Sequence, residues 1–139
     1  MSSIVQTQTT SFKKELYQGI HNLSTDTIKI ALYTAAADLN QDTTVYSSTN
    51  EVVASGYTAG GQIMTGVAIS SDGYTAYVNW NNVSWTSALT ARCALIYNAT
   101  QGNKSVAVLD FGSDKTSATT FLITMPANTS TSALIRSSN

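Results

Sequence analysis

The sequence predicts a mainly β domain: an antiparallel β-sandwich or barrel-like sheet of about eight strands, preceded by one short N-terminal helix. Three observations predict it. Apolar and polar residues alternate with a period of two in short segments between residues 27 and 137, separated by Gly, Asn, Asp and Ser turn signals. Helical spacing occurs in one place only, so the βαβ rhythm of a parallel sheet is missing. The one proline, Pro126, falls at a strand end, where a lost N–H is tolerated.

Residues 1–10 read as a loose arm. From Ser11 to Leu23, Phe12, Leu16, Ile20 and Leu23 would share one side of a helix, with Ser11 as its N-cap. Gly19 weakens the interior, so this helix depends on docking its apolar side. "TIKIALYT" then predicts a half-buried strand, with Ile28, Ile30 and Leu32 facing one way and Lys29, Ala31 and Tyr33 the other. A long polar connection follows, holding an irregular strand at Val45 and Tyr46, and "EVVAS" leads into a glycine bend.

The clearest hairpin is "GVAIS", the turn "SDG" and "YTAYVNW", which puts Tyr74, Ala76, Val78 and Trp80 on one side. Asn81-Asn82 invites a further turn. "TARCALIYN", "SVAVLDFG", "TTFLITMP" and "SALIRS" supply the remaining strands. Residues 11–139 are thus expected to form a single β domain behind the arm.

Composition narrows the function classes. Charged residues are 11% of the chain, less than half of the roughly 25% usual in soluble proteins, so hydroxyls and amides must cover the surface. A net charge of −1 offers no basic stripe for phosphates, which speaks against nucleic acid. No apolar run reaches the roughly 20 residues of a membrane helix, and the first residues lack a secretory pattern, so synthesis in the cytoplasm is expected. The lone Cys93 lies in the alternating "ARCALIY" and reads as a buried thiol rather than a nucleophile.

Four constellations resemble chemical motifs and fail at the decisive positions. "GYTAGGQI" places Gly56 and Gly61 where a phosphate loop has its glycines, but Gln62 stands for the lysine and Ile63 for the magnesium-binding hydroxyl. These glycines are expected to serve a bend around Tyr57. Asp38, Asn40 and Asp42 alternate like the opening of a calcium loop, yet Thr43 and Thr49 replace its glycine and its bidentate glutamate. His21 is the only histidine and no G-x-S-x-G elbow surrounds a serine, so a hydrolytic triad is unsupported. Trp80, Trp85 and Tyr97 could stack on sugars, but alternating aromatics in a sheet usually pack inside it. No catalytic, cofactor-binding or metal-binding residue is therefore expected.

Read in order, "SFKKELYQGIHNLSTDTIKIALYTAAADLN", "YSSTNEVVASGYTAGGQ", "VSWTSALTARCALIYNAT" and "VAVLDFG" resemble a family of small virion structural proteins of tailed bacteriophages. The likeness extends from Phe12 to Arg136, with "TNEVVASGYTAGG" its most distinctive run. Within that family it is similar to capsid decoration, or cement, proteins. The resemblance implies a non-enzymatic protein on the capsid exterior, bound to the major capsid protein and to neighbouring copies of itself, with no membrane or nucleic-acid partner. The expected contact regions are the arm and helix, with Phe12, Leu16 and Tyr17, and the loop with Asp38, Asp42, Tyr46, Glu51 and the adjoining Tyr57. The alternative is a tail, neck or head appendage that recognises a host glycan through Tyr57, Trp80 or Trp85.

Overall fold

A computed structural model describes residues 5–138. Strands dominate it and every strand pair is antiparallel. In chain order the elements are β1 (Val5–Gln8), α1 (Thr10–Tyr17), β2 (Ile28–Tyr33), β3 (Gln62–Ile63), β4 (Ala68–Asp72), β5 (Thr75–Asn79), β6 (Val83–Trp85), β7 (Thr90–Asn98), β8 (Lys104–Thr116), β9 (Phe121–Ile123) and β10 (Ile135–Ser137). A five-stranded sheet has the order β1-β8-β7-β2-β3, and two smaller sheets are β10-β5-β4 and β6-β9. The mainly β, sandwich-like fold expected from the alternation is therefore present.

The main core lies between the large sheet and the small ones. Ile30, Leu32, Ala94, Ile96, Leu109 and Phe111 meet Trp80, Val83, Trp85, Phe121, Ile123 and Leu134 there. Trp85 and Phe121 cross edge to face at 6.2 Å, a favourable geometry for aromatic quadrupoles. The core cluster draws on residues from Phe12 to Ile135.

The start of the chain differs from the loose arm expected. Its first four residues lie outside the described ones, whereas Val5–Gln8 pair with β8 in the register Val5↔Asp110 to Gln8↔Ala107. The helix also begins earlier and ends sooner. Thr9, fully buried, is the N-cap and its Oγ1 accepts from the Phe12 N–H at 3.3 Å. Gly19 does not weaken the helix interior but terminates the helix. At φ +72° it follows the C-cap Gln18, with its N–H bonded to Leu16 O (3.1 Å) and the Ile20 N–H to Glu15 O (3.1 Å). That pair of bonds is a Schellman closure. Ile20 and Leu23 consequently leave the helical face, and Leu16 is left exposed.

β2 is not half-buried. Ile30 and Leu32 enter the main core, while Ala31 and Tyr33 enter a second apolar cluster on the opposite face with Cys93, Leu95, Tyr97 and Val108. Residues of the long connection, Ala37, Leu39 and Tyr46, cover that face. The connection forms isolated bridges, Val45↔Lys104 and Tyr33↔Glu51, and the irregular strand expected at Val45 and Tyr46 is reduced to the first of them. β8 runs on past Gly112, which adopts φ +82° where the β7–β8 register shifts.

The bend glycines are used as expected. Gly61 has φ +78°, and a Cβ there would stand 1.8 Å from the Ile30 carbonyl oxygen. Gly73 also has positive φ but opens onto empty space. Gly61→Ala is therefore expected to destabilise the fold by well over about 2 kcal/mol and Gly73→Ala by about 1 kcal/mol. Urea unfolding of the two variants checks the order.

Candidate functional site

A buried carboxylate organises the outer face of the large sheet. Glu51 is 7% exposed and no cation is paired with it among the described residues. Its Oε1 accepts from the Tyr46 hydroxyl at 2.5 Å, and its Oε2 accepts from the Tyr57 hydroxyl at 2.5 Å and the Gly60 N–H at 2.8 Å. Charge-assisted bonds of this kind offset the cost of removing an anion from water.

Further bonds carry the network into the sheet. The Tyr57 oxygen accepts from the Leu32 N–H at 2.9 Å, so β2 is tied to the loop through one phenol. Tyr97 on β7 donates to the Gly60 carbonyl at 2.6 Å, and Tyr33 on β2 donates to the Ser47 carbonyl at 2.6 Å. Tyr46 stacks on Tyr97 with ring centroids 4.7 Å apart. The glycine-rich loop does aim an N–H at an anion, as a phosphate cradle would, but the anion is the chain's own Glu51.

The same surroundings keep the phenols protonated. Burial, then the negative charge of Glu51, pushes Tyr97 up to about 12 and raises Tyr33 further. Burial and the hydrogen bond to Glu51 likewise raise Tyr46 and Tyr57 far above the ordinary tyrosine value. Cys93 belongs to the neighbouring cluster, where burial and the charge of Asp110 push its thiol up to about 11. A thiol so disposed is a poor nucleophile at neutral pH.

His21 sits in a second polar knot. Asn98 Oδ1 accepts the N–H groups of Thr100 (3.1 Å) and Gln101 (3.2 Å), which turns its Nδ2 toward His21 Nδ1 (3.0 Å) and Asp26 (2.8 Å). His21 Nδ1 therefore accepts, and Nε2 carries the proton that it donates to Glu15 Oε1 at 2.8 Å. Both ring nitrogens are occupied and the side chain is fully buried, so the geometry of a Ser-His-Asp relay is not formed. Burial opposes the ionisation of Asp26, but the bonds from Asn98, the Asn22 N–H and Gln101 outweigh it and lower its pKa.

The residues expected to make contacts separate into two groups. Leu16, Tyr17, Asp38 and Asp42 are exposed and Tyr46 is half-buried. Phe12, Glu51 and Tyr57 are buried and are corrected from surface contacts to internal supports: Phe12 docks the helix, while the other two form the carboxylate hub. The aromatics considered for sugar stacking, Tyr57, Trp80 and Trp85, are all buried. Asp38, Asn40 and Asp42 form a turn in which Asn40 Nδ2 donates to Asp38 and Asn40 Oδ1 accepts the Asp42 N–H. Among the described residues, no three His, Cys, Asp or Glu side chains gather as a metal site would require.

No sequence motif marks the hub. The one local signal for it is Tyr33, a large aromatic on the outward face of a strand read as half-buried, which implies a covering segment. Compared with models of known protein families, with curated proteins and with solved structures, the chain matches none.

Two outcomes follow. Glu51→Ala leaves the Gly60 N–H and two phenols without an acceptor and should cost about 3 kcal/mol, whereas Glu51→Gln, whose amide oxygen still serves Tyr57 and Gly60, should cost less. Denaturant titration at neutral pH measures both. The raised phenols contribute stability in full below about pH 10, the unfolded tyrosine value, and lose it as pH rises through the folded values. For Tyr97 that loss falls between about 10 and about 12, and phenolate absorbance from the four hub tyrosines should appear together with unfolding.

Proposed function

We propose that the chain is a structural component of a tailed-bacteriophage virion, a capsid decoration protein that binds the major capsid protein lattice from outside. The likeness running from Phe12 to Arg136 supports the family. The observation that carries the role is the state of the long loop. Its tyrosines and Glu51 lock it onto the sheet, while Val53 (96% exposed) and Val45 are turned outward. A contact loop already held in one shape loses little conformational entropy on binding, which matters when each contact is small.

The surface suits repetition. Tyr17, 92% exposed, stands beside Leu16 on α1, and the chain as a whole carries only 11% charged residues with a net charge of −1, so many copies can crowd a lattice without accumulating much repulsion. Several modest contacts held at once then gain affinity through effective concentration.

Quantifying the protein in purified particles tests the role. On the order of hundreds of copies per particle is expected, whereas about a dozen or fewer would place the chain at the neck or tail. Because β1 and Phe12 belong to the fold, the contact surface is tested by Tyr17→Ser and Val53→Asp rather than by truncation. Each should lower particle occupancy with unchanged thermal stability, and full occupancy in both would remove these residues from the interface.

A further inference from the structure

The three-stranded sheet has two edges, and they are treated differently. At β10, the Gln8 side chain donates to the Arg136 carbonyl at 2.8 Å, and Gln6 donates to the Ser132 and Ala133 carbonyls just before it. At β4, among the described residues, the main chain of Ala68–Asp72 has no partner except β5. The only other bond to the strand is from Ser130 to the Asp72 side chain.

We propose that the free edge of β4 pairs antiparallel with β4 of a second copy of this chain, joining two three-stranded sheets into one of six strands. The inference rests on the proposed lattice role only for its setting.

Hairpin geometry shows which groups are on offer. Asp72 faces Thr75 across the two-residue turn Gly73-Tyr74, so these two form a hydrogen-bonded pair. The alternate residues Ile69 and Ser71 then turn their N–H and C=O groups outward. The strand has no proline, no lysine and no bulge to blunt its edge, and its one charge, Asp72, sits at the end next to the turn. Ser70, Ser71 and Asp72 are exposed, Ile69 is 53% exposed, and Tyr74 at the hairpin tip is 90% exposed.

Charge favours a second copy as the occupant. Pairing about a two-fold axis at Ser70 sets Ile69 opposite Ser71 of the other copy and Ala68 opposite Asp72. The one charged residue of each strand therefore meets a methyl group at the far end of the ladder instead of its own kind. Ile69 and Ser71, the residues with outward main-chain groups, fall opposite each other in that register, giving about four hydrogen bonds across the axis. Ile69 of both copies comes to one face of the joined sheet, where the diagonal spacing of about 7–8 Å lets long side chains touch.

Sedimentation equilibrium of the full chain, with amide exchange followed at low and high concentration, tests the pairing. The expected result is a reversible shift from 14.7 kDa to twice that mass, with the Ile69 and Ser71 amides becoming protected only in the heavier species. Ile69→Lys and Ser71→Pro, the latter removing an N–H that does not serve β5, should weaken the association at least about tenfold. Unchanged circular dichroism would show that both variants still fold. A wild-type chain that stays monomeric, a dimer indifferent to both variants, or protection of these amides only on capsids would overturn the proposal. A dimer that forms as described but shows no affinity for particles would leave it standing and remove the decoration role instead.

Discussion

A carboxylate with no cation beside it can be buried only where enough hydrogen-bond donors converge on it. Glu51 meets that condition with two phenols and one main-chain N–H, drawn from residues 46, 57 and 60. Desolvating an anion costs several kcal/mol, and charge-assisted bonds recover it only while all of them are made. The constraint acts on the whole connection between β2 and β3, because moving any donor leaves the charge underserved.

That constraint explains the layering. Once the connection is tied down, it covers the outer face of β2 and β7, and residues that would otherwise meet water become a second apolar cluster. Tyr57 shows the coupling directly. Its hydroxyl donates to Glu51 and accepts from the Leu32 N–H, while its ring lies 6.0 Å from Trp85 in the main core. One side chain thus connects the carboxylate, the sheet and the central packing. Gly60 and Gly61 turn the chain back toward β3 at positive φ, and the space beside Gly61 is too small for any side chain.

Much of the fold was legible because alternation and turn chemistry are local. β2, β5 and β7 lie where the period of two places them, the bend glycines serve as expected, and the β4–β5 hairpin is present with its turn at Gly73-Tyr74 instead of at residues 71–73. Misreadings arose where a partner distant in sequence decides. β1 exists because β8 offers it an edge, and the three-residue β6 exists because β9 does. The helix was overextended because apolar spacing continued through Gly19 while the chain itself turned there. The hub was less legible still. Read locally, Glu51, Tyr46 and Tyr57 look like surface contacts, because their partners Tyr33 and Tyr97 come from strands distant in sequence. A charged residue surrounded by four tyrosines, two of them on strands, indicates burial only when the topology is known.

The account turns on Glu51 holding the connection as an integral layer of the domain, and the exchange rate of the Gly60 amide proton tests this most directly. Held by a buried carboxylate at 2.8 Å, it should exchange as slowly as the amides of β7, near the limit set by global unfolding. Exchange as fast as that of the exposed Gly73 turn would contradict the account and detach the loop from the fold.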